Sequence, residues 1–227
     1  MKIGGLQKSS LIDFPGKIAA IIFTQGCNFR CGYCHNPELL SAVSNLSLGG
    51  ESVLNFLESR RGLLDGVVIS GGEPTLQEDL SDFLQKIKSL GFGIKLDTNG
   101  TSPDVIQALL SKNLIDYIAM DIKAPLEKYP EITCTKIDIK KIRKSIEITM
   151  NSGLEYEFRT TVLKSQLSTD DFDAIGELLC GAKKYYLQQF VQSKILDETL
   201  RIETYTDEEL QKIAQNLQKQ IENVGVR

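Results

Sequence analysis

Long apolar segments are missing from this sequence of 227 residues, since its longest apolar run is IAAIIF at Ile18–Phe23. A transmembrane helix needs roughly 20 consecutive apolar residues, so we expect no membrane association. Basic charge is not in excess either, because 26 Lys and Arg residues stand against 30 Asp and Glu residues. No broad positive field is therefore available for nucleic acid or an anionic membrane, and we expect neither as a partner.

Cysteine and histidine are scarce, with five cysteines and a single histidine, His35. The start of the chain shows no charged leader followed by an apolar segment, which predicts that the protein is not secreted. An odd number of cysteines then argues against a disulfide framework and favours metal binding or catalysis in the reducing cytoplasm. Internal linkers, repeats and low-complexity segments are absent as well, so we predict one domain over residues 1–227.

Apolar, β-branched runs alternate along the chain with amphipathic segments. The predicted strands are Ile18–Thr24, Gly66–Ser70, Gly93–Asp97, Asp116–Asp121, Tyr156–Leu163 and Lys184–Phe190. The predicted helices are Leu76–Leu90, Ser102–Leu110, Asp138–Met150, Thr169–Cys180 and Thr206–Val224. Several strands are apolar at nearly every position, which is typical of a parallel sheet buried on both faces. Six βα units predict an α/β fold, built as an open barrel or as a doubly wound sheet.

Polar motifs follow four of the predicted strands. GCNFRCGYC follows the first strand, GGEP follows the second, DTNG ends the third and DIK ends the fourth. Ligand sites of parallel α/β proteins lie at the carboxyl ends of the strands. The shared placement of the four motifs therefore predicts one site to which all of them contribute.

The three clustered cysteines, Cys27, Cys31 and Cys34, have the spacing C-x3-C-x2-C. Structural zinc usually takes four ligands, and His35, next to Cys34, would need a strained backbone to complete such a site. Three close thiolates suit a [4Fe–4S] cluster that leaves one iron open for a ligand. A non-enzymatic zinc module remains the alternative from another class. A third interpretation, three small residues on one buried helix face, is disfavoured because the intervening residues make a poor core helix.

With Tyr33 as the aromatic residue, the pattern C-x3-C-x-aromatic-C resembles the signature of radical S-adenosylmethionine (SAM) enzymes. The resemblance implies that the three cysteines hold a [4Fe–4S] cluster whose open iron chelates the methionine part of SAM. One electron then cleaves SAM to methionine and a 5′-deoxyadenosyl radical. In that family the GGE motif, here Gly71, Gly72 and Glu73, binds the methionine amino group. Without the cysteines, the same motif would be an ordinary strand-to-helix turn.

Two further motifs resemble those of glycyl-radical activating enzymes. The resemblance places Asp97 and Asn99 of DTNG beside SAM, and it implies that Lys123 of DIK contacts the nucleoside or the carboxylate. Acidic residues there, including Asp121, can help to hold a monovalent cation. A plain turn for DTNG and a simple Asp121–Lys123 ion pair are the competing interpretations.

Polar residues also occur on the last two predicted strands. Arg159 and Gln188 are candidate cofactor or substrate contacts in the barrel mouth, or else polar groups satisfied inside the fold. Alternation places Arg159 and Thr161 on one side of their strand and Thr160 on the other. For His35 we expect a position beside the cluster or in an exposed loop, and Cys134 and Cys180 are expected to be structural or incidental.

The opening segment GGLQKSSLIDFPGKIAAIIFTQGCNFRCGYCHNPEL resembles the activating proteins of anaerobic ribonucleoside-triphosphate reductases, in their compact branch without an added ferredoxin-like cysteine set. The resemblance implies an incomplete (β/α)6 TIM-like barrel with outer helices. It also implies a glycyl-radical reductase as client and reduced flavodoxin or ferredoxin as electron donor. Activation of another glycyl-radical enzyme, or chemistry on a small molecule such as a deazapurine precursor, remains open.

Overall fold

One eight-stranded sheet forms the centre of the structure, a computed structural model that describes residues 1–41, 48–191 and 194–227. The strands are β1 (Ile3–Ser10), β2 (Ala19–Thr24), β3 (Gly66–Gly71), β4 (Gly93–Thr98), β5 (Tyr117–Asp121), β6 (Glu155–Val162), β7 (Lys184–Gln189) and β8 (Asn223–Val226). The helices are α1 (Gly50–Glu58), α2 (Leu80–Ser89), α3 (Pro103–Ser111), α4 (Tyr129–Thr133), α5 (Ile139–Met150), α6 (Thr169–Leu178) and α7 (Asp207–Leu217).

The strands lie side by side in chain order, and β2 to β8 are parallel to one another. Only β1 runs antiparallel, along the outer side of β2. Within the described residues, the only strand that β1 pairs with is β2 and the only strand that β8 pairs with is β7, so the sheet curls without closing. Each strand from β2 to β7 is followed by a helix, which confirms the predicted parallel α/β fold with six βα units.

Both edges of the sheet differ from the sequence-based expectation. The predicted helix Thr206–Val224 is wrong in its last part, because α7 ends at Leu217 and residues 223–226 form β8. The strand β1 was not predicted, since its sequence IGGLQKSS is glycine-rich and polar. Both edge strands are held by hydrogen bonds to a neighbouring strand and contain few apolar residues, so hydrophobic periodicity does not reveal them.

The two faces of the sheet differ in what covers them. The main apolar core lies between the sheet and the helices and contains, for example, Ile22, Ile69 and Leu96. A smaller apolar cluster on the opposite face, with Phe14 and Tyr117, fills one end of the barrel interior. Toward the carboxyl ends of the strands the interior is lined by polar side chains, as a ligand site would be. No helix among the described residues is long and apolar enough to cross a membrane.

Candidate active site

A cavity of about 220 Å³ opens at the carboxyl ends of the parallel strands. It brings together side chains from all four sequence motifs and from β6. Among its lining residues are Cys27, Cys31, Cys34, Gly71, Gly72, Glu73, Asp97, Asn99, Asp121, Lys123 and Arg159. The predicted meeting of the motifs at one edge of the sheet is therefore confirmed, while the role of each residue stays a prediction.

The cysteines lie on an irregular loop after β2 and contain no disulfide among them. Cys31 is buried, whereas Cys27 and Cys34 are half-buried at the cavity. The loop is tightened by the Cys34 amide, which donates to the Cys31 carbonyl at 3.0 Å, and the Phe29 amide donates to the Cys27 sulfur at 3.4 Å. Burial raises the pKa of the Cys31 thiol to about 11, so this thiol must lose its proton to become a ligand.

The donor set fits a cluster better than a single metal ion. Within the described part of the chain, no three His, Cys, Asp or Glu side chains are grouped so that they could hold one ion. A [4Fe–4S] cluster binds its thiolates at separate irons, so its ligands need not converge on one point. Three free thiols around one cavity supply that donor set, and His35 lies at the same cavity as their neighbour.

A ring of side-chain hydrogen bonds fastens the cysteine loop to the DTNG turn. The Asn28 amide nitrogen donates to the Thr101 hydroxyl at 2.9 Å, and the Asn99 amide nitrogen donates to the Asn28 oxygen at 2.9 Å. Thr101 closes the ring by donating to the Asn99 oxygen at 2.7 Å. Asn99 therefore positions the cysteine loop, a role that sequence reasoning missed because its partners lie in another motif.

The glycines of the GGEP motif allow two backbone segments to meet. Gly71 has φ +114°, a conformation that L-residues rarely adopt, and a Cβ atom on Gly72 would lie 2.2 Å from the Gly26 carbonyl oxygen. The Gly72 amide donates to the Thr24 carbonyl at 2.9 Å, and the Glu73 amide donates to the Gly26 carbonyl at 2.8 Å. The two glycines thus allow the turn after β3 to pack directly against the backbone that leads into the cysteine loop.

We expect Gly72→Ala to displace the cysteine loop, because the atoms that its methyl group would meet belong to backbone. The free energy of unfolding should fall by at least about 2 kcal/mol, as in other overpacked sites. Urea denaturation measures the change. Gly49→Ala is the matched control, since nothing lies within 4 Å of a Cβ atom there. Equal stability of the two variants would contradict the packing argument.

Glu73 is a buried carboxylate surrounded by donors. Its Oε1 accepts bonds from the Thr75 amide at 3.1 Å, the Thr75 hydroxyl at 2.6 Å and the Thr98 hydroxyl at 2.7 Å, while Oε2 accepts the Asn99 amide at 2.6 Å. Burial raises its pKa, and these four hydrogen bonds oppose the shift. Each carboxylate oxygen has two lone pairs, and Oε2 accepts a single bond, so Oε2 keeps capacity for a further donor at the cavity.

A network of alternating charges forms the floor of the cavity. Asp97 is bonded to Lys95 at 2.7 Å and to Arg159 at 3.3 Å, and Asp121 is bonded to Arg159 at 2.9 Å and to Lys123 at 3.0 Å. Burial disfavours the ionised form of Asp121, but the Arg159 guanidinium and the Lys123 ammonium outweigh it and lower its pKa to about 2. The predicted Asp121–Lys123 ion pair is present, as one link of this larger network.

The depressed pKa of Asp121 predicts a pH-dependent contribution to stability. A carboxylate whose folded pKa is about 2 stabilises the fold above its unfolded pKa of about 4, and this contribution disappears as the pH falls through 2. We expect Asp121→Asn to cost about 2 kcal/mol of unfolding free energy at pH 6 and almost nothing near pH 2. Urea denaturation of both proteins at several pH values tests this, and a constant difference would contradict it.

The remaining predicted residues differ in whether they reach the cavity. The His35 ring packs against Phe190 with centroids 4.9 Å apart. Gln188 is on β7 and is not among the described residues that line the cavity, whereas its register partner Thr161 is. Thr160 points the other way and donates to the Ile122 carbonyl at 2.7 Å, which confirms the predicted alternation. Gln188 thus remains a prediction, and Cys134 and Cys180 are exposed.

The cavity, its three thiols and the glycine turn all fall within a segment that matches a known family. A family model described as the Radical SAM superfamily matches residues 21–179. The chain belongs to the radical SAM superfamily. The family's cofactors, a [4Fe–4S] cluster and SAM, are accordingly those of this enzyme, and the thiol loop offers the donors that the cluster needs.

Individual relatives narrow the type of radical SAM enzyme. A candidate glycyl-radical enzyme activating enzyme of Methanocaldococcus jannaschii is 35% identical over 99% of this chain and 95% of its own length. The pyruvate formate-lyase-activating enzyme of Clostridium pasteurianum is 35% identical over 54% of this chain and 52% of its own. These matches identify this chain as a radical SAM enzyme of the glycyl-radical-activating type.

The fold has counterparts among solved structures. Streptococcus suis SuiB bound to S-adenosylmethionine superposes with a TM-score of 0.68 at 14% identity, over 91% of this chain and 49% of that one. At this identity the likeness concerns the fold alone. It agrees with the open parallel barrel described above, and it confirms the predicted incomplete barrel of the radical SAM enzymes.

Proposed function

We propose that this enzyme uses the cavity to cleave SAM reductively and to install a glycyl radical on a partner enzyme, anaerobic ribonucleoside-triphosphate reductase. When bound, the cluster supplies the electron that splits SAM into methionine and a 5′-deoxyadenosyl radical, which takes a hydrogen atom from a backbone glycine. The observation that carries the proposal is the convergence of three thiols, a buried carboxylate and a cationic group on one cavity at an open sheet edge.

Different residues around the cavity bind the cluster and the separate parts of SAM. Cys27, Cys31 and Cys34 hold the cluster as thiolates. The open acceptor position on Glu73 receives the methionine ammonium group, because a buried carboxylate favours a cationic donor over water. The Lys123 ammonium, which one carboxylate oxygen of Asp121 holds at 3.0 Å, has further donors for a carboxylate or ribose oxygen.

The open barrel supports a protein client over a small one. Because the sheet does not close within the described residues, a glycine-bearing loop can reach the cavity from the side. The likeness over nearly the whole chain to a candidate glycyl-radical activating enzyme supports the same class of client. The resemblance of the opening segment to the compact branch of reductase-activating proteins favours the anaerobic reductase among such clients. Pyruvate formate-lyase is the second candidate, because its activating enzyme matches about half of this chain.

Reduced flavodoxin or ferredoxin is the proposed electron donor. Cys27 lines not only the cofactor cavity but also a second cavity of about 860 Å³ beside it, formed with Lys2, Asn28 and Arg30 among others. The half-buried Cys27 therefore offers a reductant a route to the cluster that does not cross the SAM side.

The test is anaerobic reconstitution with iron, sulfide, SAM and a reductant, followed by electron paramagnetic resonance of candidate clients. We expect a glycyl radical on the anaerobic reductase, with one deoxyadenosine formed per radical. A glycyl radical on pyruvate formate-lyase alone would assign the second candidate. Deoxyadenosine formation stimulated by a deazapurine precursor, with no radical on any protein, would contradict the protein-activating function.

A further inference from the structure

Every carboxylate oxygen in the floor of the cavity is already paired with a cationic side chain. Asp97 Oδ1 faces Lys95 Nζ at 2.7 Å and Oδ2 faces Arg159 Nη1 at 3.3 Å. Asp121 Oδ1 faces the Arg159 guanidinium at 2.9 Å and Oδ2 faces Lys123 Nζ at 3.0 Å. Two acidic groups are thus balanced by three basic ones, which leaves the group with one net positive charge.

Arg159 is the residue that joins the two halves of this network. Its Cα is the register partner of Asp121 on the neighbouring strand β5, and its side chain reaches across that strand to Asp97 on β4. The side chain is only 12% exposed, and the two carboxylates are 13% and 27% exposed. Close carboxylates at such low exposure require a positive charge between them, and a guanidinium stays charged at every relevant pH.

These residues do not fit the monovalent cation that the resemblance to glycyl-radical activating enzymes implies. A Na⁺ or K⁺ ion needs oxygen ligands, and each oxygen of Asp97 and Asp121 already accepts a bond from a cationic side chain. An added cation would also stand against the net positive charge of Lys95, Lys123 and Arg159. Repulsion by these three groups therefore disfavours a bound Na⁺ or K⁺ unless Arg159 moves away.

We propose that Arg159 is the built-in cation of this site, with its guanidinium in the place of a bound Na⁺ or K⁺ between Asp97 and Asp121. SAM binding and cleavage then require no monovalent metal ion. Arg159 is a positioning residue, because it acts by fixing the two carboxylates and, through Asp121, the Lys123 ammonium. This inference rests on the proposed SAM site, but not on the identity of the client.

The wild-type experiment compares salts at equal ionic strength. Reconstituted enzyme with SAM and a reductant is assayed for deoxyadenosine in KCl, NaCl and tetramethylammonium chloride, since the last cation is too large to be chelated by carboxylates. We expect equal SAM affinity and equal rates in all three salts. A stimulation of at least about tenfold by K⁺ or Na⁺ would overturn the inference, because it corresponds to the loss of a full charge contact.

If Arg159 replaces a metal cation, variants without its charge should bind SAM more tightly when K⁺ or Na⁺ is present. Arg159→Gln should lose about tenfold or more in SAM affinity in tetramethylammonium, and K⁺ or Na⁺ should restore part of that loss. Arg159→Lys keeps one charge and should respond less than Arg159→Gln. The double variant Arg159→Gln/Asp97→Asn removes one charge of each sign and should lose the response. A folded Arg159→Gln protein that ignores both metal cations would overturn the inference.

A second readout needs neither the cluster nor SAM. The melting temperature of apo Arg159→Gln should be higher in KCl than in tetramethylammonium chloride, whereas that of the apo wild type should be the same in both. A wild-type protein stabilised by K⁺ would overturn the inference on its own. Failure of the wild type to form deoxyadenosine in any salt would instead refute the proposed function, and the melting comparison would still decide the role of Arg159.

Discussion

Replacing Cys31 by alanine is expected to abolish the iron–sulfur cluster and with it the cleavage of SAM. Deoxyadenosine formation should fall by more than about 1,000-fold, since the cofactor carries the chemistry that the protein's own side chains cannot perform. The physical reason is the donor count: a cluster that leaves one iron open has three protein thiolates, and Cys31 is the buried one among them. Iron and sulfide analysis and the visible absorbance of anaerobically reconstituted protein measure the loss directly.

Cys180→Ala is the matched control for this change. It removes the same thiol from an exposed position just after α6, so cluster content and activity should equal those of the wild type. Cys34→Ala, at a half-buried position of the same cavity, should repeat the loss seen with Cys31→Ala and thereby separates ligand removal from a packing defect. Full cluster content in Cys31→Ala, or a colourless wild type that carries stoichiometric zinc, would contradict the assignment.

The interior strands could be predicted from the sequence because strands buried on both faces are rich in apolar residues. Strands β2, β3 and β5 consist mostly of apolar residues, and each strand from β2 to β5 lies within a residue or two of its predicted ends. The edge strand β1 could not be, because its register depends on the backbone of β2 and not on its own side chains. For the same reason the predicted helix Thr206–Val224 wrongly includes the first two residues of β8, whose sequence NVGV extends the sheet beside β7.

For the site as well, some features could be predicted from the sequence and others could not. Residues that stand in short motifs at the strand ends, such as Cys27 and Glu73, could be named from sequence because the fold class sends every such motif to one edge. Partnerships across strands could not be named. The contact of Arg159 with Asp97 depends on the register of β5 with β6 and on the curl of the sheet. Lys95 is only 1% exposed, but its burial could not be predicted, because a charged residue within a strand usually faces solvent.

Glu73 combines a structural role with a binding role, and the two can be separated experimentally. Its four hydrogen bonds to protein donors hold the turn after β3 against the DTNG segment, whereas its remaining acceptor position is the one proposed for the SAM ammonium group. Thr75→Val removes a single hydroxyl donor at 2.6 Å and keeps the carboxylate. It should lower stability by about 1–2 kcal/mol and leave the affinity for SAM close to that of the wild type.

Glu73→Gln is expected to weaken SAM binding by roughly 10- to 100-fold, because a hydrogen bond to a charged group contributes about 1.5–3 kcal/mol. The amide has the same shape, but it loses the negative charge and sets an NH₂ group against donors such as the Asn99 amide. Equilibrium binding of SAM to the reconstituted protein and urea denaturation measure the two effects. Glu78→Gln makes the same chemical change at an exposed position and should alter neither. If Glu73→Gln and Thr75→Val lowered affinity equally, the carboxylate would act only through the fold, since only Glu73→Gln removes the negative charge.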